Sequence, residues 1–549
     1  MADFFNTSKE VANNFLQSIV FIDDKAFNTI GENTNHDFDA YAVTRAFAEN
    51  NKICAIYKPK TSTDIDLLAQ LAKKADITVL DWQINLEEEP VPEGAEEEDA
   101  EDDDPRGPHT LKIIREILSD PVTGEGSLKL IIVYTGETGL LDIRDDIHKD
   151  LLAHGITADI NDFEVSTNNV KIIIVAKSDN EIDEAGNPKS KFNLVPEFNA
   201  RVKSYEQLPD FIISEFTKMT VGLLSNFVLE SLTVLRNNTF RLIKLYNKEL
   251  DLAYLTHYLL LPTPEESNEQ MVDIFSDSVQ ALLHYNQAGK RISITDIKNW
   301  LETKEFNKNI TVGGKNVVID VQFIKNWVEK GFSAAIADQW QLESLSEDQE
   351  KAAIKEKEKL SKTVSPLTND NVISDKDIEF SILTHHKSIF KPNFILPKLT
   401  LGAVVKGSKS GYWVCIQQRC DSVRITEKRR FLFLPLVDVT ETPGLKFNFV
   451  TNDGRRLQLA KKSFDLRTIK FEATLGEDFI KADIKDDKFI FEPLYKNGHA
   501  DYHNDKDETY EWILDLKDLH AQRIAHDFAS DLSRIGLDES EWLRRRSLN

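Results

Sequence analysis

Five residues of this 549-residue chain are of types and at positions that suit phosphate and cation chemistry: Asp23, Asp24, Asp81, Thr135 and Lys177. Each follows or ends a short apolar, β-branched run, namely Ser18 to Ile22, Ile77 to Leu80, Leu128 to Tyr134 and Val170 to Ala176. Runs this rich in Ile, Val and Leu predict strands covered on both faces, as in a parallel sheet. In an open α/β sheet ligands collect at the carboxyl ends of the strands, so these side chains are expected to converge in one crevice. Three carboxylates brought together raise one another's pKa unless a cation sits between them. Oxygen-only ligands beside a phosphate group suit Mg²⁺.

The elements that must position them follow from the same stretch of chain. With Ile53 to Tyr57 the runs make five strands, and helical segments are expected between them at about 38–49, 61–75, 110–119 and 140–154. Repeated βα units predict a doubly wound α/β domain with a five-stranded parallel sheet. One insertion interrupts the rhythm. Glu87 to Asp104 holds twelve carboxylates, two prolines and no basic residue. Repulsion at that density predicts a disordered loop, here bounded at 86–108.

The ordered set Ile22-Asp23-Asp24, Leu80-Asp81-Trp82-Gln83, Val133-Tyr134-Thr135-Gly136 and Ala176-Lys177 resembles the receiver domain of bacterial two-component response regulators. The resemblance implies that Asp81 is the phosphoacceptor and that Asp23 and Asp24 serve Mg²⁺, with Asp81 and the backbone carbonyl of Gln83 as further ligands. It also implies that Thr135 binds a phosphoryl oxygen, that Lys177 pairs with its charge, and that a sensor histidine kinase is the partner. Attack by a carboxylate on a phosphoramidate needs alignment and charge neutralisation more than an acid or base, which suits these groups. Three features depart from the pattern, one being the acidic insertion in place of a short loop after the phosphoacceptor strand. Ile174 stands where the family usually has an aromatic switch residue, and Ser178 where it usually has proline.

Beyond the α/β domain, placed at residues 1–220, the sequence predicts an α-helical region at 221–345, a charged linker at 346–377 and a strand-rich α+β domain at 378–549. Trp300, Trp327 and Trp340 are expected as core anchors of the helical region, and a helix from about Asp515 to Ile535 is expected to close the chain. No compact module with a basic recognition helix follows the receiver-like part, which disfavours transcription control. The divergent receiver with a large remainder resembles the receiver-bearing proteins of bacterial defensive two-component systems (Detocs), in particular the intermediate that acts as a phosphate buffer. That resemblance implies antiviral defence, a receiver-bearing effector as a second partner, and no activity beyond Mg²⁺-dependent self-phosphotransfer and slow dephosphorylation; a homodimer is compatible with it. Two other readings stay open: an effector whose C-terminal domain is a hydrolase or nuclease, and a non-phosphorylated adaptor.

Other candidate sites are weaker. Cys415 and Cys420 have no second pair and read as core cysteines rather than zinc ligands. A nucleophilic site of Cys420, Asp421 and His385 or His386 can be written on residue type alone. His499, Asp501 and His503 alternate but sit among loop residues, and the basic triplets Lys428-Arg429-Arg430 and Arg544-Arg545-Arg546 lack interleaved aromatics. A formal charge of −25 argues against a nucleic-acid coat or an anionic-membrane binder. Three cysteines, no export signal and no apolar stretch of ~18 residues predict a cytoplasmic protein.

Overall fold

The computed structural model describes residues 2–27, 38–86, 107–124, 126–178, 196–260, 264–361, 366–367, 375–389, 396–441, 447–460, 466–473, 478–494 and 508–532. The acidic run of 87–104, the His499, Asp501 and His503 group, and Arg544 to Arg546 lie outside the described residues. The chain forms two compact units, Met1–Lys244 with Ser278–Thr303, and Leu245–Asp277 with Lys304–Asn549.

The first unit opens on helix α1 (Ala2–Phe15), which the sequence reading passed over. Then follow β1 (Ser18–Ile22), α2 (Ala40–Glu49), β2 (Ile53–Tyr57), α3 (Ser62–Lys74), β3 (Ile77–Leu80), α4 (Pro108–Leu118) and a single turn, α5 (Pro121–Gly124). The series continues with β4 (Lys129–Thr135), α6 (Leu140–Ala153), β5 (Asp159–Asn161), β6 (Glu164–Ser166), β7 (Val170–Lys177), β8 (Val202–Lys203) and α7 (Leu208–Thr220). The sheet order is β2-β1-β3-β4-β7-β6-β5, with β8 paired to β7. The neighbours β2-β1-β3-β4-β7 are all parallel. The sheet is thus eight-stranded rather than five-stranded. The additions are the short β5–β6 hairpin, antiparallel to β7, and the two-residue β8. Strands this short carry too little apolar pattern to read.

Burial on both faces explains the near-continuous apolar runs. Alternate residues of one strand enter different cores: Val20, Ile22, Leu80, Val133 and Ile174 pack with helices α3, α4 and α6. Ile19, Phe21, Val79, Tyr134 and Val175 pack with α1, α2 and α7. Local signals agree with this placement. Thr61 and Asp64 form a capping box at the start of α3, and the Asp39 side chain caps α2. Downstream of β3, Gly107 lies over the Trp82 ring with φ +80, and a Cβ there would sit 2.9 Å from ring carbons.

Helices α8 (Leu223–Leu245), α9 (Asp251–Leu260), α10 (Pro264–Tyr285) and α11 (Ile294–Leu301) follow. The expectation of helix throughout this region fails at β9 (Lys308–Val312) and β10 (Lys315–Ile319), an antiparallel hairpin turned by Gly313 and Gly314, both at positive φ. Next come α12 (Val321–Lys330), α13 (Phe332–Gln339), α14 (Glu347–Leu360) and α15 (Asp375–His385). Trp300, Trp327 and Trp340 are half-buried, and the buried anchors here are Phe323, Ile324, Phe332 and Ile336. Within the expected linker, Ser346 and Gln349 form a capping box that starts α14, which buries Ala353 and Leu360.

The strand-rich part holds β11 (Ala403–Gly407), β12 (Tyr412–Cys415), β13 (Arg429–Asp438), β14 (Phe449–Val450), β15 (Arg456–Leu459), β16 (Arg467–Phe471), β17 (Asp483–Lys485), β18 (Lys488–Phe491), β19 (Tyr510–Asp515) and α16 (Asp518–Leu532). These strands form one antiparallel sheet, β14-β15-β13-β12-β11-β19-β18-β17, with β16 also on β13. The expected start of the last helix at Asp515 is corrected: Tyr510–Asp515 is a central strand, and α16 begins at Asp518. The sheet buries both faces, one around Phe431, Phe433, Phe471 and Tyr510, the other around Leu434, Leu514 and Phe528 of α16.

Replacing Gly107 tests the Trp82 contact. Gly107→Ala forces both a left-handed backbone and a ring clash, and is expected to destabilise the first unit by about 2 kcal/mol, read as a lower urea midpoint. An unchanged midpoint contradicts the packing described.

Candidate functional site

Asp23 and Asp24 leave the end of β1, and Asp81 leaves the end of the adjacent β3, with its N–H donating to the carbonyl of Ile22 at 2.9 Å. Lys177 ends β7, and Thr135 ends β4 between them in the sheet. All three aspartates are buried, and one carboxylate oxygen from each lies within 4.8 Å of the others. The Lys177 ammonium donates to Asp23 Oδ2 and to Asp81 Oδ1, both at 2.8 Å. Three carboxylates therefore crowd together, and two of them are bonded to one ammonium.

The remaining oxygens divide unequally. Asp23 Oδ1 accepts from the Lys25 N–H at 2.9 Å. Asp24 Oδ2 accepts from the Asn85 backbone N–H at 3.1 Å and from its side-chain Nδ2 at 2.9 Å. Asp24 Oδ1 is buried and has no hydrogen-bond partner. A buried orphan oxygen costs roughly 1–3 kcal/mol, more when charged, so the site has an unmet need for a donor or a cation. An all-carboxylate donor set with surplus negative charge suits a hard divalent ion such as Mg²⁺. The residues present therefore fit that ion.

Thr135 is buried, and its Oγ1 accepts from the Glu137 N–H at 3.0 Å. Gln83 lies exposed between Trp82 and the Ile84 that returns to the core. Two contributors escaped the sequence reading. Asn85 holds Asp24, and Thr110 of α4 donates from Oγ1 to the carbonyls of Asp81 and Trp82 at 2.7 and 2.9 Å. Thr110 follows the acidic insertion, which hides its relation to Asp81 in a linear reading. Ile174 is fully buried opposite Val133, inside the core rather than beside the crevice. Ser178 donates its backbone N–H to the carbonyl of Lys203 at 3.2 Å, a bond that proline at this position cannot make.

Burial pushes the Asp81 carboxyl up to about 7, opposed by Lys177 and reinforced by Asp23 and Asp24. Burial also pulls Lys177 down, but the carboxylates of Asp81 and Asp23 outweigh it and hold the ammonium above its ordinary range. Lys177 thus stays protonated beside an Asp81 carboxyl held above its ordinary range.

The other candidates that fall on described residues are placed as follows. Cys415 is buried in the core, where burial pushes its thiol up to about 12, and Cys420 is exposed. His386 is fully buried with Nε2 2.6 Å from the Val450 carbonyl oxygen, so it is not placed as a base for an exposed thiol. Arg429 and Lys428 are engaged by the Asp421 carbonyl and by Glu472, consistent with solvated strand charge. Among the described residues no helix is long and apolar enough to cross a membrane.

A folded-state pKa raised above the ordinary carboxyl value means that Asp81 contributes stability below pH ~4 that is lost as pH rises through about 7. Asp81→Asn is therefore expected to leave stability unchanged near pH 4 and to raise it at pH 8, by at most about 4 kcal/mol for a shift of this size. Thermal unfolding at the two pH values measures this. A destabilised variant at pH 8 contradicts the strained carboxylate.

Comparison with known proteins bears on the same stretch of chain. No curated protein and no solved structure matches the chain. Asp23, Asp24, Asp81, Thr135 and Lys177 all lie within the segment, residues 15–181, that matches the family model of the response receiver domain.

Proposed function

We propose that this protein accepts a phosphoryl group on Asp81 from a partner histidine kinase and holds it as a phosphate buffer within a bacterial anti-phage two-component system. One observation carries the first half: the Asp81 carboxylate is gripped by Lys177 next to Asp23 and to an Asp24 oxygen with no partner. Asp23, Asp24, Asp81 and the Gln83 carbonyl would hold Mg²⁺, which when bound supplies charge neutralisation on the phosphoryl oxygens.

The chain's own residues account for the rest. A carboxylate oxygen of Asp81 forms the new O–P bond as the N–P bond of the phosphohistidine breaks, and the departing imidazole takes up a proton. Lys177, held between Asp23 and Asp81, offers its positive charge to the equatorial oxygens as they gain negative charge. The Thr135 hydroxyl, at the end of the neighbouring strand, donates to one of them. The product carries about −1.5 to −2 charge near neutral pH.

The buffer role and the effector it protects rest on the resemblance and on one structural support. A receiver that signals through a swinging aromatic needs that ring near the lysine, whereas Ile174 is locked in the core. A centre that can load without repositioning such a ring suits storage of phosphate.

Incubation with the radiolabelled kinase and Mg²⁺ is expected to label the wild type and leave Asp81→Asn blank. Lys177→Ala is expected to slow labelling by roughly 10²–10³-fold, and a chelator to abolish it. Equal labelling of wild type and Asp81→Asn overturns the assignment. The buffer reading further expects that added protein delays labelling of a receiver-bearing effector, and an unchanged rate contradicts it.

A further inference from the structure

Asp24 is 8 % exposed, and its two oxygens are treated oppositely. Oδ1 is buried without a hydrogen-bond partner, while Oδ2 takes two donors from one residue, the Asn85 backbone N–H at 3.1 Å and its Nδ2 at 2.9 Å. Asn85 is itself held. It stands between Ile84, buried in the core, and Leu86, packed against the same core, so it cannot swing away without drawing apolar side chains into water. The neighbouring carboxylates are also engaged: Asp23 Oδ1 by the Lys25 N–H at 2.9 Å, and Asp23 Oδ2 and Asp81 Oδ1 by Lys177 at 2.8 Å each. Each of the three aspartates thus has at least one oxygen committed to a donor. None can embrace a cation with both oxygens unless one of these bonds breaks.

We infer that Asn85 is a positioning residue that confines Asp24 to a single ligand oxygen, Oδ1, and so makes the centre discriminate against Ca²⁺. The inference rests on the divalent-ion site of the proposed function and adds its selectivity. Mg²⁺ takes oxygens singly in a near-octahedral set and keeps several waters, whereas Ca²⁺ takes roughly 6–8 oxygens and commonly draws carboxylates in with both of theirs. A site whose carboxylates each lend one oxygen suits the first ion and leaves the second short of ligands. Among the donors, Lys177 belongs to phosphoryl transfer and Lys25 gives a backbone N–H, so Asn85 supplies the side-chain constraint that serves the ion alone. Its type matters, because a carboxamide donates a hydrogen bond without adding charge. Aspartate at this position only accepts, and it would offer Ca²⁺ a further oxygen. Outer partners that orient a ligand typically tune metal affinity by about 10–100-fold.

Calorimetric titration of the full chain with MgCl₂ and, separately, with CaCl₂ tests this. Asp24→Asn, titrated in parallel, gives the background from the rest of this acidic chain, and binding above it is assigned to the centre. The wild type is expected to bind Mg²⁺ more tightly than Ca²⁺. Asn85→Ala and Asn85→Asp are each expected to cut that preference, the ratio of the Ca²⁺ to the Mg²⁺ dissociation constant, at least tenfold. General loosening of the loop weakens both ions alike, so an unchanged ratio overturns the inference even where both affinities fall. A wild type that prefers Ca²⁺ overturns it too and leaves the metal site standing. A wild type with no Mg²⁺ binding above background removes the metal site of the proposed function and the inference with it.

Discussion

Three buried carboxylates crowd the carboxyl ends of two adjacent parallel strands, with Asp23 and Asp81 bonded to the Lys177 ammonium, and the surrounding structure is arranged to hold that imbalance. Burial alone favours protonation of Asp81, while Lys177 at 2.8 Å favours its charge, so the carboxyl rests near neutrality instead of in its ordinary acidic range. Such a group is poised electrostatically: a cation or a transferred anionic group changes the local balance at once. The unpartnered Asp24 oxygen belongs to the same imbalance, since a site complete in itself has no reason to leave a buried carboxylate oxygen without a donor.

The frame that maintains this arrangement is made of ordinary packing. Alternate residues of each strand enter separate cores on the two faces of the sheet, so the strand ends can neither slide nor rotate without exposing apolar side chains. Thr110 then fastens α4 to the carbonyls of Asp81 and Trp82, and Trp82 packs under Gly107. The backbone on either side of the acidic insertion is thereby pinned beside the site. A loop of any composition can be inserted at that point at modest entropic cost.

Much of this was legible because buried parallel strands leave a strong trace. The runs ending at Ile22, Tyr57, Leu80 and Tyr134 are apolar but for Ser18, Thr78 and Lys129, and the polar residues at their ends stand out against them. Asn85 and Thr110 left no comparable trace, since one lies in a loop and the other beyond an insertion. In the second unit the difficulty was physical in another way. Tyr510–Asp515 mixes aromatic, acidic and aliphatic residues directly before a helix, and its role as a central strand depends on pairing with Ala403–Gly407, about a hundred positions earlier. The hairpin at Lys308–Ile319 rests on two glycines whose positive φ matters only once the strands around them are paired. Trp327 drew attention by size, yet the smaller Phe323 and Ile336 are the buried residues, because the indole lies at the edge of the cluster.

Reductive trapping reports most directly on whether this centre receives a phosphoryl group. Borohydride reduces an aspartyl phosphate to an alcohol and leaves phosphate on Ser, Thr or His untouched, so peptide mapping after reaction with the kinase and Mg²⁺ locates the acyl phosphate. Reduction is expected at position 81 and at no other aspartate. Phosphate found on another side chain, or an unreduced Asp81 in protein that has taken up label, contradicts it.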